Sequence, residues 1–133
     1  MNKVSFLILL FVNIALADFK TLNTQEVQKE IKNGTVLIDI RREDEWNNNG
    51  IIKNSHKLTF FDKQGKYDIN QWMEQFTKIV KNKEQKFILV CARSNRTKIV
   101  GKFLSDKLKY KNVSELDGGI KDGWIKKGLT TAK

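Results

Sequence analysis

Apolar residues along the chain fall into two patterns, which are short uninterrupted runs and helically spaced sets. Nearly continuous apolar runs at 35–40 and 87–90 predict strands buried on both faces, while 57–61 predicts a further short strand and 112–116 a last strand. Helical spacing predicts helices from the Asn23 cap to about Gly34, over 69–81 and from about 97 to 108. Shorter helices are expected near 43–47 and around Ile120 and Trp124.

Strands that alternate with helices predict an α/β fold, because parallel strands need crossover connections that helices provide. We therefore expect a central parallel sheet wrapped by helices. With 133 residues, of which 40% are hydrophobic, the chain is too short for two independent cores. A single domain is predicted.

Residues 1–17 have the pattern of a signal peptide. Lys3 precedes an apolar stretch from Val4 to Ile14, and the small side chains of Ala15 and Ala17 stand where signal peptidase requires them. The stretch is shorter than the roughly 20 residues that span a bilayer, although an uncleaved anchor is the alternative. Cleavage after Ala17 would leave a periplasmic or secreted domain of residues 18–133, with no stable membrane insertion.

The charge of the chain favours an anionic partner. Lysine and arginine number 25 against 15 acidic residues, a formal net charge of +10. We do not expect nucleic acid as that partner, because an exported protein rarely meets it and the sequence contains no recognised binding motif. One cysteine and one histidine exclude an internal disulfide and argue against a metal centre.

The lone thiol, Cys91, stands between the predicted strand 87–90 and the helix that follows it. Ligands of α/β proteins bind at the carboxyl ends of the strands, where loop amides and a helix N-terminus converge. Those dipoles, together with Arg93 and Arg96, favour the thiolate and can also cradle an oxyanion. A nucleophile inside an anion cradle suggests attack on an anionic electrophile, whereas the alternative is an inert, buried cysteine.

Three motifs, in this order along the chain, resemble those of the rhodanese family of sulfurtransferases. The residues that carry the resemblance are Ile38-Asp39-Ile40-Arg41 with Glu45, Trp46 and Gly50, then Cys91-Ala92-Arg93-Ser94-Asn95-Arg96-Thr97, and finally Leu116-Asp117-Gly118-Gly119-Ile120 with Trp124 and Gly128. The resemblance implies a three-layer fold and covers nearly all of residues 18–133.

This resemblance also implies a chemistry and a set of roles. Cys91 would take a sulfane sulfur from thiosulfate or a persulfide donor and pass it to cyanide or a thiol acceptor, without a metal or organic cofactor. Asp39 and Arg41 would support the active-site loop. The substrate-binding residues would be Ala92, Arg93, Ser94, Asn95, Arg96 and Thr97.

The length of the loop distinguishes sulfur transfer from the chemistry of related phosphatases. Four residues separate Cys91 from Arg96, as in sulfur-transferring members, whereas the related cell-cycle phosphatases have five. A catalytically quiet binding module and a Cys-dependent phosphatase or arsenate reductase remain as alternatives. Ser94 stands where the family often has glycine, so a positive φ there would strain it. His56 is expected at the surface or at a strand edge.

Overall fold

A computed structural model describes residues 18–133, so the predicted signal peptide lies outside the described residues. Within them, five strands form one parallel sheet in the order β1-β5-β4-β2-β3. Their bounds are Asp18–Leu22 (β1), Val36–Asp39 (β2), His56–Lys57 (β3), Phe87–Val90 (β4) and Asn112–Leu116 (β5).

Helices connect the strands. They are Thr24–Lys32 (α1), Glu43–Asn49 (α2), Ile69–Ile79 (α3) and Asn95–Lys102 (α4), with π-helical segments at Phe103–Lys107 and Lys121–Ile125. At the start of α1, Asn23 and Glu26 form a capping box in which each side chain accepts the other's backbone N–H. This cap confirms the predicted start of the first helix.

The core lies on both faces of the sheet. Phe76 of α3 and Val100 of α4 pack on the face that carries Phe87 and Leu89. Val27 of α1 packs on the opposite face with a second apolar cluster. The predicted α/β fold, a parallel sheet between two helical layers, is therefore confirmed.

Three elements differ from the predictions. β1 was not expected, because only Phe19 and Leu22 of its five residues are partly buried. The third strand pairs over His56–Lys57 alone rather than over 57–61. The long third helix changes to π-helical bonding after Lys102, so that Leu108 donates to the carbonyl of Phe103 and both Leu104 and Ser105 face the core.

Within residues 18–133, no helix has both the length and the apolarity needed to cross a membrane.

Candidate active site

Cys91 lies at the bottom of a loop between the central strand β4 and helix α4. The residue follows Val90 directly and is only 1% exposed. The carbonyl of Cys91 accepts a hydrogen bond from the amide of Ile120 (2.9 Å), and that of Ala92 accepts one from Lys121 (3.1 Å). The start of the loop is thus fixed to the turn that follows β5.

Backbone N–H groups of the loop are free to bind a ligand. Among residues 18–133, no acceptor pairs with any of the six amides from Ala92 to Thr97, and the first helical bond runs from Lys98 to the Ser94 carbonyl. Unpaired amides at a helix start carry partial positive charge. Such a group of donors next to a thiol is suited to hold an anion or a developing negative charge.

Ser94 holds the left-handed conformation that its position requires. Its φ is 70° and its ψ is 0°, so its backbone lies in the left-handed region, which favours glycine. The Ser94 hydroxyl donates to the Leu116 carbonyl at 2.9 Å, in a buried position. This bond ties the middle of the loop to the end of β5 and offsets part of the backbone strain.

Arg96 is bound to Glu45 of α2 by two hydrogen bonds. Its Nη1 and Nη2 lie 2.6 and 2.7 Å from the two carboxylate oxygens, in a half-buried pair. Hydrogen bonding to Glu45 raises the pKa of Arg96 above its ordinary value. Burial alone would raise the pKa of Glu45, but hydrogen bonds from Arg96 and from the backbone of Arg42 outweigh it and hold that pKa below its ordinary value. Much of the Arg96 charge is therefore balanced, so an anion at this site would depend more on the amides than the sequence suggested.

The remaining polar side chains of the loop point outwards. Arg93 is 60% exposed, with its Nε 3.7 Å from a carboxylate oxygen of Asp122, and Asn95 is also exposed. These residues and Ala92 contribute their backbone amides to the loop. The expected contribution of the Arg93 guanidinium would require that side chain to leave Asp122.

Asp39 and Arg41 form a fully buried ion pair behind the loop. The Nε and Nη2 of Arg41 bind the two carboxylate oxygens, with the shorter contact at 2.8 Å. The same Nη2 donates to the Gly50 carbonyl at 2.7 Å, just after α2. Since α2 carries Glu45, this pair holds in place the helix that anchors Arg96.

Thr97 connects the thiol to a buried acid. Its Oγ1 lies 3.4 Å from the Sγ of Cys91 and donates to Oε1 of Glu115 at 2.7 Å. Thr21 of β1 and Lys98 also donate to Glu115, which is completely buried. Sequence reasoning missed Glu115, although an acid among the inward-facing positions of a predicted core strand was a detectable anomaly.

Glu45 was also missed as the partner of Arg96, because the motif that contains it gave no contact. His56 is exposed on the edge strand β3, as expected. No cluster of three or more potential metal-ligating side chains occurs within the part of the chain that the structure describes.

Comparison with known proteins shows the family. The profile of the rhodanese-like domain matches residues 23–126. The chain is similar to a rhodanese-related protein of Thermoplasma volcanium, with 25% identity and a TM-score of 0.62 over 83% of this chain and 94% of that one. No curated protein sequence gives a significant match.

Two further solved structures have the same fold. The chain is similar to a polysulfide-sulfur transferase homodimer of Wolinella succinogenes, with 22% identity and a TM-score of 0.64 over 89% of this chain and 81% of that one. It is also similar to a protein of Rhodopseudomonas palustris described as a possible tyrosine phosphatase, with 25% identity and a TM-score of 0.62 over 86% and 85%. The match over residues 23–126 includes the strand, the loop and the helix around Cys91. The chain belongs to the rhodanese-like domain family.

Proposed function

We propose that the protein is a sulfurtransferase that carries sulfane sulfur on Cys91, from thiosulfate or a persulfide donor to a thiol or to cyanide. The observation that supports this most strongly is the position of a single thiol beneath six unpaired loop amides. Membership of the rhodanese-like family is consistent with this chemistry.

Loading begins with the Cys91 thiolate. It attacks the outer sulfur of thiosulfate, a new S–S bond forms, and the S–S bond within thiosulfate breaks so that sulfite leaves with the electron pair. The loop amides would bind the sulfonate oxygens during attack. They would then hold the negative charge of the outer persulfide sulfur.

Unloading uses the same site. Cyanide or a thiolate attacks the outer sulfur of the Cys91 persulfide. The S–S bond to Cys91 breaks, so the Cys91 thiolate is released while thiocyanate or a new persulfide forms. No electrons enter or leave the protein over the cycle. A metal or organic cofactor is not required by these steps.

Phosphate chemistry is the second candidate, because one structural neighbour is described as a possible tyrosine phosphatase. Four residues lie between Cys91 and Arg96, one fewer than in the related cell-cycle phosphatases. The shorter loop accommodates a smaller group than the phosphoryl group that those enzymes bind. The length of the loop therefore favours a sulfur substrate.

Turnover with thiosulfate and cyanide tests the proposal. We expect thiocyanate to accumulate with the natural domain, and no thiocyanate with Cys91→Ser. Para-nitrophenyl phosphate serves as the competing substrate in parallel. Release of nitrophenol that depends on Cys91, without thiocyanate, would replace the proposal by the phosphatase, and no reaction with either substrate or with a persulfide donor would favour the quiet binding module.

Export is proposed on separate grounds. The signal-peptide pattern of residues 1–17 supports cleavage after Ala17 and a periplasmic or secreted protein, without nucleic-acid binding or membrane insertion. Expression of the full chain in a bacterium should yield a periplasmic protein whose amino terminus is Asp18. A cytoplasmic protein that retains residues 1–17 would contradict this.

A further inference from the structure

Glu115 is a buried acid that the proposed mechanism does not use. Its side chain is 0% exposed, and its carboxylate accepts hydrogen bonds from Thr97, Thr21 and Lys98. Three donors surround the group, one of them the Lys98 ammonium, and both carboxylate oxygens act as acceptors. Burial of a charged group at a core strand position is costly unless it is fully paired, which makes a purely accidental acid here unexpected.

The Thr97 hydroxyl has only one proton to share between two neighbours. The proton is donated to Glu115 at 2.7 Å, while the Sγ of Cys91 lies 3.4 Å from the same oxygen. An ionised carboxylate cannot donate in return. The Thr97 oxygen therefore faces the sulfur as an acceptor, which suits a thiol S–H and not a thiolate.

Loss of the Cys91 proton creates a competition. Among residues 18–133, Thr97 is the side chain in hydrogen-bond contact with the sulfur, and it can donate to a thiolate only by giving up Glu115, whose negative charge lies within about 6 Å of the sulfur along this path. The situation changes when the outer sulfur is added. The inner sulfur is then neutral, and the charge lies one bond further out, towards the loop amides.

We propose that Glu115 is a positioning residue that withholds the Thr97 hydroxyl from the Cys91 thiolate and thereby shifts the sulfur-transfer equilibrium towards the persulfide. The first part concerns the thiolate alone, whereas the second rests on the proposed function. Glu115 makes the unloaded thiolate less stable. The loaded state is less affected, because its charge is held by the amides.

Other charged groups lie near Glu115 and Cys91. Lys98 on α4 partly neutralises Glu115 and opposes its effect. The remaining groups are Arg96 on α4 with its partner Glu45 on α2, and the buried pair of Asp39 and Arg41 at the end of β2. Each of these is already in an ion pair, so substitution of Glu115 leaves their balance in place.

The pH profile of Cys91 alkylation by iodoacetamide tests the first part without any sulfur transfer. We expect Glu115→Gln to move the midpoint of the profile down by about one pH unit, and Lys98→Gln to move it up. Glu84→Gln is the matched control, since it removes one negative charge from an exposed pair with Lys111. A midpoint that stays in place in both the Glu115 and Lys98 variants, or moves as much in the control, would overturn the proposal.

The persulfide fraction tests the second part. The protein is equilibrated with fixed mixtures of thiosulfate and sulfite, and the intact mass gives the ratio of loaded to unloaded chain. We expect Glu115→Gln to lower this ratio roughly tenfold and Lys98→Gln to raise it. Because Lys98 is half-exposed, its variant should fold even if the buried Glu115 variant does not, and an unchanged or lowered ratio in Lys98→Gln would contradict the proposal.

A final pair of variants separates action through Thr97 from a direct effect of charge. Thr97→Ser keeps the hydroxyl, so in that background Glu115→Gln should change the ratio as much as it does in the natural protein, whereas in a Thr97→Val background the Glu115→Gln change should have a much smaller effect. Equal effects of Glu115→Gln in both backgrounds would overturn the role assigned to the hydroxyl. If the natural protein does not load at all, the proposed function fails, while the alkylation profile still decides the shared proton.

Discussion

Ser94 shows how one side chain can compensate for the backbone conformation that its position imposes. The left-handed φ of 70° costs about 1 kcal/mol or more for a residue other than glycine. The buried hydrogen bond to the Leu116 carbonyl contributes about the same amount in the opposite direction. A serine in place of glycine is therefore compatible with a formed loop.

Substitutions of Ser94 separate these two effects. Ser94→Ala keeps the strain and leaves the Leu116 carbonyl without its donor, so the free energy of unfolding should fall by about 1 to 2 kcal/mol. Ser94→Gly removes the strain together with the bond and should lie closer to the natural protein. Urea unfolding measures both, and equal stability of Ser94→Ala and the natural protein would contradict this account.

The pair of Glu45 and Arg96 should make stability depend on pH. The pKa of Glu45 is held below its ordinary value of 4.5, so the folded state favours the charged carboxylate more than the unfolded state does. Its contribution is complete above about pH 4.5 and is lost as the pH falls through the lower, folded-state pKa. Glu45→Gln should therefore cost most near neutral pH, about 2 kcal/mol, and progressively less in acid.

Chemical unfolding of the natural protein and of Glu45→Gln across this pH range measures the difference. Glu43→Gln is a suitable control, because Glu43 is exposed at the start of the same helix and has no ion pair or side-chain hydrogen bond among residues 18–133, so its substitution should change stability little. A stability difference for Glu45→Gln that does not change with pH would show that Glu45 is not a charged partner of Arg96.

At the scale of elements, the turn after β5 determines where the loop that carries Cys91 begins. Gly119 has a φ of 62°, and a Cβ added there would collide with the Ala92 carbonyl and lie 2.5 Å from the Cys91 carbonyl oxygen. The backbone of the turn therefore touches the backbone of the loop directly. Only glycine permits this approach.

Gly119→Ala should displace the loop. We expect a loss of transfer activity on the order of 100-fold, together with a fall of about 2 kcal/mol or more in stability. Gly128→Ala is the matched control, because its φ is 84° but no atom lies within 4 Å of the added Cβ. That variant should cost about 1 kcal/mol and retain its rate; an equal loss of activity in both would contradict the role of the close contact.

Local pattern was enough to predict the strand, loop and helix around Cys91, since buried runs and helical spacing are properties of consecutive residues. Contacts between distant residues were beyond it. Glu45 meets Arg96 across 51 positions, and Thr21 meets Glu115 across 94. The sequence did not predict β1 for the same reason, because this short, half-exposed segment becomes a strand only through pairing with β5.

The whole molecule adds a long-range contribution through its charge of +10. A basic protein attracts an anionic donor before contact, and salt screens this attraction. The rate of Cys91 loading by thiosulfate should fall roughly three- to tenfold from low to high ionic strength. Alkylation by neutral iodoacetamide should change little, and an equal salt effect on both reagents would show that steering plays no part.

Intact-mass analysis of the purified domain after incubation with thiosulfate, followed by cyanide, tests the sulfur-carrier role of Cys91 most directly. We predict a gain of one sulfur atom, located on Cys91 by peptide analysis, and its removal by cyanide as thiocyanate appears. Cys91→Ser should gain nothing. A natural domain that gains no sulfur from thiosulfate or from a persulfide donor, with the loop intact, would contradict the proposed function.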